Sequence, residues 1–155
     1  MNYNVYVISA GRYNKLPFNK EQKEKYIFCV KNGERKLYIK NGCINTFETG
    51  NLMQSRNFAL EHAFKENKIC VQLSDDIKKV VVNKNFGEHK KINIDIAIKD
   101  IVDKFNKVKG VKLLGIPPTD NFFFANKIVS VNTFCIGDML FVKPNDLRFD
   151  EQLTL

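Results

Sequence analysis

The sequence predicts an α/β protein built on a mostly parallel sheet with helices on both faces. Three observations carry that prediction. Short apolar runs rich in β-branched residues alternate with helical stretches in the order strand–(helix)–strand–helix–strand–helix–strand. The strand-like runs end in glycine, asparagine, aspartate or proline turns. A chain of 155 residues with 44% hydrophobic and 27% charged residues has the length and composition of one globular domain with a true core.

The elements follow in order. Val5–Ser9 (VYVIS) reads as a buried strand closed by the loop Ala10-Gly11-Arg12, and Glu21–Lys25 as a short charged helix. Tyr26–Val30 (YIFCV) is a second strand, ended by Lys31-Asn32-Gly33, and Lys36–Lys40 (KLYIK) has the look of a brief edge strand. Asn51–Lys65 is the clearest helix: Asn51 can cap it, and Leu52, Ala59, Leu60, Ala63 and Phe64 recur at helical spacing. Ile69–Leu73 (ICVQL) is the next strand, ending in Ser74-Asp75-Asp76, and Ile77–Val82 continues as a strand or bends away. Asn83–Lys91 is polar and reads as a mobile loop. Ile92–Val108 carries Ile94, Ile98, Ile101, Val102 and Phe105 on one helical face, with Gly110 past its end. Val111–Gly115 is a further strand and an expected neighbour of the earlier ones. Phe122–Phe124 and Ile128–Val131 are apolar pieces, and Phe134–Lys143 is a strand pair or a strand bulged at Gly137-Asp138.

Ligands of such sheets bind beyond the carboxyl ends of the strands. Ser9–Arg12, Asn32–Glu34 and Ser74–Asp76 therefore share one rim. Adjacent carboxylates at a strand end repel each other unless a cation or hydrogen-bond donors stand nearby. Mg²⁺ or Mn²⁺ takes one or two protein carboxylates and completes its shell with phosphate oxygens and water; the alternative is that Ser74 or Asp75 merely caps a turn. Arg56 lies beside the apolar stripe of its helix, where its guanidinium either meets a phosphate or snorkels to solvent. Gly11 permits close backbone approach and Arg12 adds charge, but neither a GxGxxG nor a Walker sequence is present.

The net charge of +8 favours a polyanionic partner, either a nucleotide diphosphate or nucleic acid; a lysine-rich solvated surface is the alternative. The four cysteines are far apart and form no CxxC pair. Cys29, Cys70 and Cys135 fall in apolar runs, as small buried hydrophobes do, and a reducing cytoplasm is the simplest compartment. No signal peptide or apolar span is evident. His62 is expected on the exposed side of its helix.

Gly50–Phe64 (GNLMQSRNFALEHAF) followed by Ile69–Ile77 (ICVQLSDDI) resembles the GT-A glycosyltransferases, which carry an Arg-Asn helix and then a strand ending in an Asp-x-Asp metal motif. Val5–Asn14 (VYVISAGRYN) and Asn32–Glu34 look like the first two nucleotide-binding segments of those Rossmann-like enzymes. The likeness is nearest to glycosyltransferases of phages and large viruses, some linked to glycosylation of modified DNA bases. It implies a nucleotide-diphosphate sugar as donor, Mn²⁺ or Mg²⁺ as cofactor, modified DNA as a possible acceptor, and the host cytoplasm as the location if the chain is viral. Ser9, Gly11 and Arg12 would line the nucleoside pocket and Glu34 would approach base or ribose. Arg56 would face the diphosphate, Asn57 the ribose or sugar, and Asp76 the metal with Asp75 beside it. Ser74 stands where the first aspartate of the motif is usual, and a hydroxyl is a poor ligand for a divalent cation. In similar enzymes an R-F-D-E-like stretch is followed by a Glu-Asp pair that serves the acceptor. Here residues 1–155 read as one donor-binding domain that stops before that pair, with Asp138 as the remaining candidate carboxylate and a second chain as a possible source of the rest. Two other classes compete. A nucleotidyltransferase-like domain would show a glycine-rich basic loop, and a non-enzymatic nucleic-acid-binding module a basic face with interleaved aromatics.

Overall fold

A computed structural model describes residues 3–85, 88–118, 130–131, 135 and 138–152, without the side chains of 83–85 and 88–89. In chain order these form β1 (Tyr3–Ser9), α1 (Lys20–Lys25), β2 (Ile27–Val30), α2 (Arg35–Lys40), β3 (Asn45–Glu48) and α3 (Leu52–Lys65). There follow β4 (Ile69–Ser74), β5 (Val80–Asn85), β6 (Glu88–Ile92), α4 (Ile94–Lys107), β7 (Leu113–Gly115) and β8 (Met139–Val142). The central sheet has the order β3-β2-β1-β4-β8-β7. The first four strands pair in parallel, and β8 runs antiparallel between β4 and β7. The α/β class with a mostly parallel sheet is thus observed. Its β3-β2-β1-β4 half matches the doubly wound nucleotide-binding order, whereas the inserted antiparallel β8 departs from it.

Strand alternation sorts the core into two layers. Val5 and Val7 of β1, Phe28 and Val30 of β2, and Ile69, Val71 and Leu73 of β4 pack with Ile98, Val102 and Phe105 of α4 and with Tyr38 of α2. The alternate residues Tyr6, Ile8, Cys29 and Cys70 face Ala59, Leu60 and Ala63 of α3 on the other side. A strand covered on both faces needs no polar alternation, which is why β1 and β4 read as continuous apolar runs.

Capping boxes open α1 at Asn19 with Gln22 and α3 at Asn51 with Gln54. Gly50 enters α3 at φ 92, and a Cβ there would run into the Gln54 carboxamide that closes the box.

Several expectations are corrected. Lys36–Lys40 is helical, not an edge strand: Tyr38 is fully buried while Leu37 and Ile39 are exposed, a pattern that alternation would reverse. The sheet edge belongs instead to β3, of which only Thr46 is buried. Asn83–Lys91 is not a loop but lies largely in the β5–β6 hairpin. Leu113–Gly115 joins the sheet at its far edge, and β8 separates it from β4. Cys29, Cys43 and Cys70 are buried, and burial pushes the Cys29 thiol up to about 12, but Cys135 is exposed against Gly115. Residues 122–124, 128–129 and the expected bulge at Gly137 lie outside the described residues. No helix among the described residues is long and apolar enough to cross a membrane.

Candidate functional site

The chain runs from β1 outward through β2 to β3, then returns through α3 to β4 on the opposite side of β1. The β1/β4 boundary is therefore a topological switch point, where diverging connections leave a crevice at the carboxyl ends of the strands. Register places the strand ends together there, with Ser9 beside Val30 and Ile8 beside Ser74. A cavity of about 630 Å³ opens at this rim, lined by Ser9, Ala10, Arg12, Lys31, Asn32, the start of α3 as far as Ser55, and Ser74 and Asp75.

A directed hydrogen-bond chain forms one wall. Ser9 Oγ lies 2.5 Å from Asp75 Oδ2 and 2.5 Å from the Tyr38 hydroxyl, and the Arg12 backbone N–H lies 3.3 Å from that same hydroxyl. A carboxylate only accepts, so Ser9 spends its single proton on Asp75. Tyr38 must then donate to Ser9, while its oxygen accepts from Arg12 N–H. Burial pushes the Tyr38 hydroxyl above its ordinary value, against the opposing pull of Ser9 and Arg12, which keeps it a donor at neutral pH. Asp75 is buried, at 8% exposed, with Ser9 Oγ as its donor.

The charged groups sit at the mouth. Arg12 Nε lies 3.5 Å from Asp75 Oδ1, and its Nη2 4.0 Å from Asp76 Oδ2. Ser74 Oγ donates to Asp76 Oδ1 at 2.6 Å. Glu34 Oε2 accepts from Gly11 N–H at 2.9 Å, pinning a loop in which Gly11 has φ 71. Ser9, Gly11, Arg12, Glu34, Ser74, Asp75 and Asp76 are thereby brought to one rim.

Arg56 and Asn57 are placed differently, and neither lines the cavity. Arg56 Nη1 donates to Gln72 Oε1 at 3.1 Å, Gln72 Nε2 returns a bond to the Arg56 carbonyl at 2.9 Å, and the guanidinium stacks 5.5 Å from the Phe149 ring. Burial pulls the Arg56 pKa down, with Asp138 opposing. Asn57 is spent on the C-terminal segment: it donates to the Phe149 carbonyl and to Glu151, both at 2.9 Å, and accepts from Phe149 N–H at 2.8 Å. Asp138 is half-buried beside the rim, where its carbonyl accepts from Ser74 N–H at 2.8 Å.

His62 is half-buried, not exposed; its Nδ1 lies 2.8 Å from the Tyr6 hydroxyl and its ring packs with Phe47 and Phe58.

Among the described residues no group of three or more His, Cys, Asp or Glu side chains converges. A Mg²⁺ or Mn²⁺ ion at the half-exposed Asp76 would have to complete its shell from ligand phosphates and water. Sequence reasoning missed Tyr38, which supports the rim through Ser9, and Gln72, which fixes Arg56 away from it. Tyr38 was hidden by the strand-like pattern around it, and Gln72 by its position inside an apolar run.

No family model, curated protein or solved structure matches this chain.

Proposed function

We propose that this chain binds a nucleotide-diphosphate sugar as the donor-binding core of a GT-A-type glycosyltransferase. One observation carries the reading. The switch-point cavity is walled by the ordered Tyr38–Ser9–Asp75 chain and edged by the cations Arg12 and Lys31. Fixed carboxylates and movable cations around a concave rim suit a ligand with a hydroxyl-bearing nucleoside and an anionic diphosphate.

In this reading Arg12 and Lys31 meet the phosphates, Glu34 and the Gly11 backbone border the nucleoside, and Asp75 orients the rim through Ser9. Asp76 holds the divalent cation together with the phosphates, and that cation, when bound, stabilises negative charge on the leaving diphosphate. Arg56 and Asn57 act as positioning residues by holding the Phe149 segment, and the Arg56 charge is felt by Asp138. Asp138 is the carboxylate best sited to meet an acceptor hydroxyl, with modified DNA as the acceptor that the positive charge favours. A purely nucleic-acid-binding module has less support, because Phe18, Phe28, Phe105 and Phe141 are spent in the core and not on a basic face.

The test is a thermal-shift panel of nucleoside diphosphates and nucleotide sugars with Mn²⁺. A ligand at 100 times its dissociation constant should add about 2.7 kcal/mol of stability. If no member of the panel moves the transition, the reading is wrong.

A further inference from the structure

Arg12 faces two demands at once. It lines the cavity, yet its guanidinium is within ion-pair distance of both Asp75 and Asp76, at 3.5 and 4.0 Å. Each carboxylate also has a hydroxyl donor of its own. Asp75 is buried and fixed by Ser9, and Asp76 is tethered by Ser74 at 2.6 Å. Arg12 and Asp76 are both about half exposed, at 49% and 50%, and of the two Asp76 has the closer partner, Ser74 Oγ at 2.6 Å. These three groups carry one positive and two negative charges, a net −1 at neutral pH. A diphosphate brings at least two more negative charges to the same place.

We propose that Asp75 and Asp76 withhold Arg12 from phosphate, so that the cavity takes a nucleoside diphosphate tightly only when the charge of the carboxylate pair is cancelled. This rests on the donor-site reading above. A guanidinium offers five N–H donors in a rigid fork, and it binds phosphate best when it can present a whole edge. Removing the Asp76 charge by substitution leaves a net charge of zero, and a divalent cation on Asp76 would leave +1; either weakens the hold on that edge. The consequence separates this proposal from a plain metal-ligand role for Asp76. Loss of a metal ligand alone cannot improve binding when no metal is present, whereas loss of a competing anion must.

The experiment is calorimetric titration of UDP, ADP, GDP and CDP into the wild-type chain, Asp76→Asn and the Arg12→Gln/Asp76→Asn pair, each in Mn²⁺ and in EDTA. Melting curves recorded alongside establish that each variant is folded. In EDTA, Asp76→Asn should bind its preferred diphosphate about tenfold tighter than wild type, the effect of one uncancelled charge about 4 Å away in a partly screened site. Mn²⁺ should no longer help that variant, and the double variant should lose the gain. If wild type binds in Mn²⁺ but Asp76→Asn is no tighter than wild type in EDTA, the withholding role is overturned and the donor-site reading survives. If no diphosphate binds any of the proteins in either condition, both fall together.

Discussion

Arg12 and Arg56 carry the same functional group, and both are expected from sequence at the nucleotide, Arg12 in the nucleoside pocket and Arg56 at the diphosphate, but the fold treats them oppositely. Arg12 sits on a loop after β1, half exposed, with ion-pair distances of 3.5 and 4.0 Å that hold it loosely. Arg56 lies on the sheet-facing side of α3, engaged by a reciprocal pair of bonds with Gln72 and by the Phe149 ring. An arginine whose partners lie in the mouth of a cavity can exchange them for a ligand. One whose partner is a fully buried glutamine cannot leave without stranding that amide. Residue type and position on an element thus say where an arginine is, and the depth of its partners says what it is free to do.

The contrast is broken most severely at Arg56. Arg56→Ala removes the donor to Gln72, whose side chain is completely buried, and uncovers the face of Phe149. A loss of about 3 kcal/mol is expected from the unsatisfied amide and the lost packing. Urea unfolding measures it, and a loss below about 0.5 kcal/mol would place Arg56 with the exchangeable class. Asn57→Ala comes next. It deletes three hydrogen bonds to Phe149 and Glu151, for an expected cost of about 2 kcal/mol. Limited proteolysis should then cut within residues 143–152 faster than in wild type; an unchanged cleavage rate would show that other contacts hold the segment.

The rim is expected to respond more mildly. Ser9→Ala interrupts the chain from Tyr38 to Asp75 and should cost about 1–2 kcal/mol, with the larger effect on ligand affinity because Asp75 loses its orienting donor. Full nucleotide affinity in that variant would mean that Asp75 needs no such support.

Much of this fold was legible because its central strands are buried on both faces. VYVIS and ICVQL are continuous apolar runs, and Asn51 announces α3 with a capping box. The edge was not legible. Three of the four residues of β3 are exposed, so no apolar signal marks it. In the six-residue helix α2, Leu37 and Ile39 alternate with Lys36, Tyr38 and Lys40 as in a strand, although Tyr38 is the residue buried. The site divides along the same line. Ser9 ends β1, Arg12 lies in the loop after it and Asp75 directly follows β4, where the topology alone gathers them. The partner of Ser9 on α2 lies 29 residues away, and that of Asn57 lies 92 residues away. Nothing local in the sequence encodes pairings over such separations.

The carboxylates repeat the contrast between locked and exchangeable groups. Asp95, at the start of α4, accepts from Gln22 at 2.8 Å and from the Tyr26 hydroxyl at 2.8 Å, tying α4 to α1 and to the residue that caps the α1 C-terminus. Burial alone would raise its pKa, but the bonds from Gln22 and Tyr26 and the charge of Lys25 outweigh it, and the net value is lowered. A depressed carboxyl stabilises the fold above its unfolded value and loses that contribution as pH falls through the folded one. Asp95→Asn should therefore cost about 1 kcal/mol at neutral pH and progressively less on acidification below the ordinary carboxylate range. A deficit that stays constant down to pH 3 would mean that the amide loses packing and not charge.

The smallest effect on stability is expected at Arg12, and it is the most informative. Its ion pairs are loose and half exposed, the class that contributes between nothing and about 1 kcal/mol. Arg12→Gln should leave the melting temperature almost unchanged, because Asp75 keeps its bond from Ser9 and Asp76 its bond from Ser74. The backbone bond from Arg12 N–H to Tyr38 also survives the substitution. Nucleotide affinity in Mn²⁺, by contrast, should fall by at least about tenfold, the order expected when a charged hydrogen bond to phosphate is lost. Stability and affinity would then separate at Arg12 and fall together at Arg56. If Arg12→Gln unfolds the protein as readily as Arg56→Ala, the two arginines are one structural class, and the rim has no exchangeable cation on that side.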